Sequence, residues 1–261
     1  PDMTNPYFMT IARHIRRTCL AHGFHLLLMD SEEDAAKESE ALDLLSEKRV
    51  EAIILAGTGE NRDKLNRMID GGTALVLIDR KIEGTDADLV CEDNFGAAAR
   101  AVGQLLDRGH ERIAVIAGPG HISTARERQA GAEEALRKHG LTMAPELVFP
   151  GDFSRNSGRK AARSLLALDP MPTAVFSCNN EMTYGFYLGM KDAGVDLEAI
   201  EVVSFGDLDF SPLFRHRLTV IRQDPAWIGD AAAEIVLERL RNPRAARSEK
   251  VIVPPIERKY G

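Results

Sequence analysis

The stretch FMTIARHIRRTCLAHGFHLLLM, residues 8–29, carries a helix, a stop and a strand in that order. Phe8, Ile11, Ala12, Ile15 and Cys19 recur at the spacing of one helical face. Gly23 ends the run, because glycine alone takes the left-handed cap conformation without steric cost. Residues 24–29 then read as a continuous apolar run of strand length. A strand with no polar alternation is buried on both faces, which is the mark of a parallel sheet covered by helices on either side.

The same alternation runs on. Helical patterning at 34–48 leads to a strand at 52–55, a helix at 61–70 to a strand at 74–78, and further strands are expected at 89–91, 112–116, 147–149, 174–176, 202–205, 219–221 and 251–253. Helices at 95–108, 124–139, 156–167, 181–193 and 225–240 separate them, several stopped by glycine. That is more parallel strand than one sheet usually holds, so the pattern implies two doubly wound lobes. One feature stands apart: such a lobe normally opens with a strand, whereas residues 1–5 read as the loop before the first helix. Either the first strand lies upstream of residue 1 or the lobe is built around its absence.

Composition sets the outer limits. The 261 residues are 44% hydrophobic and 28% charged with a net charge of −7, which excludes disorder and a coiled-coil rod. No apolar run approaches the ~18 residues of a membrane span, and the opening residues show neither the basic nor the apolar region of a signal peptide. Cys19, Cys91 and Cys178 are too few and too dispersed for a disulfide framework or zinc site. They are expected to be buried free thiols in a cytoplasmic protein. An acidic chain with scattered arginines does not hold nucleic acid by itself. No dinucleotide, Walker, nucleophile-elbow or metal motif is present, so neither catalysis nor a cofactor is expected. Gly57-Thr58-Gly59 follows a strand but lacks the third glycine of a dinucleotide loop.

In open α/β sheets the ligand crevice lies beyond the carboxyl ends of the strands, so the loops there carry the functional information. They offer Asn5, Tyr7 and Phe8; Asp79 and Arg80; Arg126 and Arg128; Asp152 and Phe153; Asn179 and Asn180; Asp207; and Arg222 and Gln223. Singly, each has a local use, such as a turn, a helix cap or an ion pair. Together they supply acceptors, forked donors and flat apolar rings, the groups that grip a polyhydroxylated ring.

Eight segments, in order and spacing, make the chain resemble the effector-binding region of the lactose-repressor/galactose-repressor (LacI/GalR) family of transcriptional regulators. They are PDMTNPYF at 1–8, VLIDR at 76–80, GHERIAVIAGP at 109–119, STARER at 123–128 with Gly131, GDFS at 151–154, NNEM at 179–182 with Gly185, VVSFGD at 202–207 and LTVIRQ at 218–223. The resemblance implies a periplasmic-binding-protein type I fold, α/β, with two doubly wound parallel-sheet lobes and three crossovers. One lobe would be residues 1–91 and 225–244, the other 92–224 and 245–261. It also implies a homodimer that reaches operator DNA through a helix-turn-helix headpiece absent from these residues, with no membrane and no metal.

Carried over position by position, the effector-binding residues would be Asn5, Tyr7, Phe8, Asp79, Arg80, Arg128, Phe153, Asn180, Asp207 and Gln223. Asn180 and Gly206 stand where many relatives carry aspartate. With Arg80, Arg128 and Arg222 retained, that raises a sugar phosphate or sugar acid as effector beside a neutral sugar. The reading is thus a ligand-sensing and dimerisation module of a repressor, not an enzyme. The alternative is an exported solute-binding protein of a sugar transporter, which shares the fold.

Overall fold

A computed structural model describes residues 3–208, 217–252 and 254–258, and of Arg258 the backbone only. Pro1, Asp2, Val253 and residues 259–261, which the expectations above include, lie outside these. The chain divides into two compact units, residues 1–92 with 224–252 and residues 93–223 with 253–261.

The first unit contains α1 (Pro6–Leu20), α2 (Ala35–Glu47), β1 (Ala52–Leu55), α3 (Arg62–Asp70), β2 (Ala74–Ile78), β3 (Asp88–Glu92), α8 (Pro225–Arg241) and β9 (Glu249–Ile252). Its sheet is parallel in the order β1-β2-β3-β9. Parity along β2 divides the core in two: Val76 and Ile78 join Phe8, Ile11, Ile15 and Ile228 on one face, while Leu75 and Leu77 join Leu42, Ile53 and Leu65 on the other. On the first face α8 packs against α1, where Thr18, Arg17 and His14 all bond Asp230.

Two expectations change here. Residues 24–29 form no strand and pair with none among the described residues, and Leu26, Leu27 and Leu28 are 36%, 63% and 53% exposed. A strand needs a ladder partner as well as an apolar sequence. Residues 245–252, expected in the second lobe, fall in the first unit, because β9 pairs with β3 over Leu89–Glu249 to Glu92–Ile252.

The second unit contains α4 (Asn94–Asp107), β4 (Ile113–Ala117), α5 (Ser123–Lys138), β5 (Val148–Pro150), α6 (Arg155–Leu166), β6 (Ala174–Ser177), α7 (Asn180–Asp192), β7 (Glu201–Phe205), β8 (Leu218–Ile221) and β10 (Ile256–Arg258). The order is β10-β8-β7-β6-β4-β5, parallel except that β10 runs antiparallel to β8. β4, β6 and β7 are buried along their whole length, as strands without alternation require. The helices pair closely through glycine: a Cβ on Gly158 would stand 2.0 Å from the Met182 carbonyl oxygen, and one on Gly185 1.9 Å from that of Arg155. Gly109 and Gly140 end α4 and α5 at φ +89° and +75°, the conformation expected of helix stops. All three cysteines are buried and free.

Candidate functional site

In the first unit the candidate residues gather at the carboxyl end of β2. Asn5 caps α1, its side chain accepting from the Tyr7 amide, with Pro6 at the first helical position. That start presents two rings at once: Tyr7 and Phe8 meet edge to face with centroids 5.1 Å apart. The Tyr7 hydroxyl donates to Asp79 Oδ1 at 3.1 Å. Asp79 holds φ +63° in a three-residue γ-turn, closed by the Arg80 amide donating to the Ile78 carbonyl at 2.6 Å. A non-glycine in this conformation is strained, and such strain concentrates at functional positions.

Arg80 follows, 3% exposed, with its guanidinium 5.8 Å from the Phe8 ring centroid and its Nε 3.5 Å from Asp79 Oδ2. Both terminal nitrogens donate to the Glu33 carboxylate, Nη2 to Oε1 at 2.7 Å. Burial alone would lower the pKa of Arg80; the hydrogen bonds and charge of Glu33, helped by Asp79, more than offset it and hold the guanidinium above its ordinary value. Glu33 was not singled out in the sequence. It lies in the acidic run Glu32-Glu33-Asp34, which reads as a solvated loop; the available signal was that this run follows an apolar stretch of strand length.

Gly57-Thr58-Gly59 has a structural role. The carboxylate of Glu38, 1% exposed, accepts from the Thr58 amide at 2.7 Å, the Thr58 hydroxyl at 3.0 Å and the Asn61 side chain at 2.9 Å. A loop filled by a buried carboxylate has no room for a phosphate.

In the second unit Arg128, on α5, is 4% exposed and held on three sides. Its Nε donates to Asn94 Oδ1 at 2.8 Å and its Nη1 to the Cys178 carbonyl at 2.7 Å, and the guanidinium stacks 3.6 Å from the Phe205 centroid. Nη2 donates no hydrogen bond among the described residues. Asn94, Cys178 and Phe205 are the anchors that sequence reasoning missed, since nothing local links them to position 128. The Cys178 thiol is pushed up to about 12, by burial first, although Arg128 acts against this, so it is no nucleophile.

Asn180 and Gln223 converge on Gly206. A Cβ there would lie 2.9 Å from Gln223 Oε1 and 3.3 Å from Asn180 Cβ, and φ is +89°. Phe153 sits at φ +65° with its ring over Gly118, where a Cβ would approach within 2.3 Å. Asn179 fixes that turn by donating to the Phe153 carbonyl while capping α7. Asp207 spends Oδ1 on the Leu208 amide at 2.8 Å. Arg222, 57% exposed, pairs with Glu257 at 2.9 Å. Among the described residues no cluster of His, Cys, Asp or Glu suits a metal, and no helix is long and apolar enough to cross a membrane.

Each unit therefore ends its parallel strands in anchored donors, acceptors and a ring. The family described as periplasmic binding proteins and sugar binding domain of the LacI family matches residues 1–260. The chain is 29% identical over 241 residues to the transcriptional repressor PurR of Photobacterium profundum, covering 92% of this chain and 72% of that protein. It is 29% identical over 253 residues to the ribose operon repressor of Escherichia coli, covering 96% and 77%. Among solved structures, a putative ribose operon repressor from Burkholderia thailandensis superposes with a TM-score of 0.89 at 26% identity over 98% of this chain and 96% of that one. A LacI family regulator from Enterococcus faecium, solved with bound ribose, superposes at 0.87 and 26% over 99% and 94%.

Proposed function

The chain belongs to the family of periplasmic binding proteins and LacI-type sugar-binding domains, and from that premise we propose that its effector is a neutral sugar, with ribose the first candidate. The relatives compared are transcriptional repressors and regulators, which favours the sensor of a repressor over an exported solute-binding protein. The chain is not an enzyme; it is a ligand-sensing regulatory domain. In this reading it works in the cytoplasm as a homodimer, and a DNA-binding headpiece reads the operator.

Tyr7, Asp79 and Arg80 of one unit and Arg128, Asn180 and Gln223 of the other are the proposed polar contacts. Phe8 and Phe153 supply rings for the sugar's C–H faces, Asn5 fixes the turn that presents Tyr7, and Asp207 serves the Gly206 turn. Asp79 accepts from a sugar hydroxyl, Nη2 of Arg128 donates to a sugar oxygen, and Arg80, its fork held by Glu33, lies beside Asp79 at the same place.

The observation that carries the neutral assignment is the Glu33 carboxylate on Arg80. Of the three arginines that made an anionic effector attractive, Arg80 is neutralised by Glu33 and Arg222 by Glu257. That leaves Arg128 as the one of the three with no carboxylate partner among the described residues. Regulation then follows from differential affinity, since an effector shifts a conformational equilibrium only by binding one state better than the other.

A thermal-shift and calorimetric screen of pentoses, hexoses, sugar phosphates, sugar acids and nucleosides tests this. A ligand at a hundredfold excess over its Kd stabilises by about 2.7 kcal/mol. That is a rise in Tm of roughly 5–10 °C for a chain of this size. The expected hit is a neutral sugar; a screen in which only phosphorylated or carboxylated sugars bind overturns the assignment.

A further inference from the structure

The residues at the carboxyl end of β2 can be sorted by what they give and what they take. A hydroxyl both donates and accepts, an amide or guanidinium N–H only donates, and a carboxylate only accepts. The donors are committed inside the first unit. The Tyr7 amide donates to Asn5 Oδ1 and the Phe8 amide to the Asn5 carbonyl, both at 3.1 Å. The Asp79 amide donates to the Val90 carbonyl at 2.9 Å and the Arg80 amide to that of Ile78 at 2.6 Å. Among side chains, the Tyr7 hydroxyl gives its proton to Asp79 Oδ1. The fork of Arg80 donates to Glu33, its Nη1 also reaches the Gly57 carbonyl at 3.5 Å, and its Nε faces Asp79 Oδ2. That side chain is 4% exposed.

The acceptors are not committed to the same degree. A carboxylate offers about four lone-pair positions. Among the described residues, Asp79 sets against them one hydroxyl at 3.1 Å and one guanidinium nitrogen at 3.5 Å. The Glu33 carboxylate, on the other side of Arg80, is 27% exposed. Two carboxylates thus stand against one guanidinium, so this end carries an excess of negative charge as well as of acceptors.

We infer that the candidate residues of the first unit read hydrogen-bond donors only: Asp79 accepts an O–H or N–H of the effector, and an ether, carbonyl or phosphate oxygen in that place is turned away. The inference rests on the sugar-sensing reading above and narrows it from charge to polarity. An acceptor brought to Asp79 displaces water from the carboxylate and meets no proton in return, whereas a hydroxyl makes a charge-assisted bond. Tyr7 would be the exception, since a phenol can donate to a sugar oxygen, but its proton is directed at Asp79 instead. A protonated amine is a donor that also answers the excess negative charge, so an amino group in place of the contacted hydroxyl is accepted.

Calorimetric titration of the 261-residue chain with ribose and its analogues tests this, each non-anomeric hydroxyl being replaced in turn by hydrogen, by fluorine and by an amine. Fluorine keeps the size of the hydroxyl and a weak acceptor but carries no proton. At one position the hydrogen and fluorine analogues are expected to lose at least tenfold in affinity alike, while the amine stays within about threefold of ribose. In Asp79→Asn, whose side chain brings N–H donors and tolerates a positive φ, the fluorine analogue at that position should recover at least fivefold relative to ribose. In Tyr7→Phe it should not, because the carboxylate remains. The series on the parent chain stands without either variant. Fluorine tolerated at every position there overturns the inference and leaves the sensing role in place. Recovery in Tyr7→Phe rather than in a folded Asp79→Asn overturns it too, since Tyr7 is then the group that reads the effector. Ribose that fails to bind the parent chain overturns the effector reading and this inference with it.

Discussion

Glu33→Gln removes the charge opposite Arg80 while keeping the shape of the side chain. Arg80 is 3% exposed and the Glu33 side chain 27% exposed, so the pair is screened by solvent from one side only. Breaking a fully buried pair from one partner costs about 3–5 kcal/mol. The solvent reaching Glu33 and the carbonyl that glutamine retains bring this to about 1–3 kcal/mol. At 2–4 °C per kcal/mol, Tm should fall by roughly 3–10 °C in differential scanning calorimetry at pH 7. The same variant frees a buried cation beside Asp79. Calorimetric titration should therefore show the ratio of sugar-phosphate to neutral-sugar affinity rising at least tenfold, about 1.4 kcal/mol, over the parent chain. A Tm within 1 °C of the parent together with an unchanged ratio would refute the claim that Glu33 sets the charge of this site.

Arg128→Lys keeps the charge but loses the Asn94 hydrogen bond and the stack on Phe205, a loss of about 2–4 kcal/mol. Urea unfolding should register it, and effector affinity should drop at least tenfold; a variant as stable as the parent would contradict the three-sided anchoring. Arg128→Ala should destabilise the fold further, because that residue is buried. Gly185→Ala forces a methyl group to 1.9 Å from the Arg155 carbonyl oxygen, so α6 and α7 must part. The expected cost is about 2–3 kcal/mol, and a chemical-denaturation midpoint equal to the parent's would show that the helices yield freely.

Asp230 is held below the ordinary carboxylate value: burial pushes its pKa up, but hydrogen bonds from His14, Thr18 and Arg17 outweigh it. Its contribution is present above an unfolded pKa of about 3.9 and disappears as pH falls through the lower folded value. Asp230→Asn should cost about 0.5–1 kcal/mol at pH 7, discounted for 35% exposure, with the gap to the parent closing toward pH 3; a gap that widens in acid has the wrong sign.

The repeating helix and strand were legible because the apolar spacing is written locally, as in Phe8, Ile11, Ile15 and Cys19 along α1. β9 was legible only in part: a strand was expected at 251–253, and the structure has it at Glu249–Ile252, but its place in the first unit's sheet could not be read locally. Glu-Lys-Val-Ile at 249–252 is half exposed, and its partner Leu89 lies 160 residues earlier. Residues 24–29 have strand composition, yet a ladder depends on a neighbour that no local pattern reports. Among site residues, the resemblance supplied the loops but not their conformations. Asp79 and Phe153 hold positive φ without being glycine, so only tertiary context reveals them. Glu33 looked like one acid among several until Arg80 was found beside it.

The division of the chain also sets an order for its synthesis. Apart from the short β10, the second unit is one uninterrupted segment, 93–223, whereas the first needs α8 against α1 and β9 against β3 from residues 225–252. At about 5–20 residues per second, the last pieces of the first unit leave the ribosome roughly 1.5–6 s after residue 223. The portion made first is thus completed last. During that interval the apolar face of α1, with Phe8, Ile11 and Ile15, waits uncovered for Ile228 and its neighbours. A nascent chain stalled just after residue 223 has left the ribosome should therefore present a folded second unit and a chaperone-binding first one.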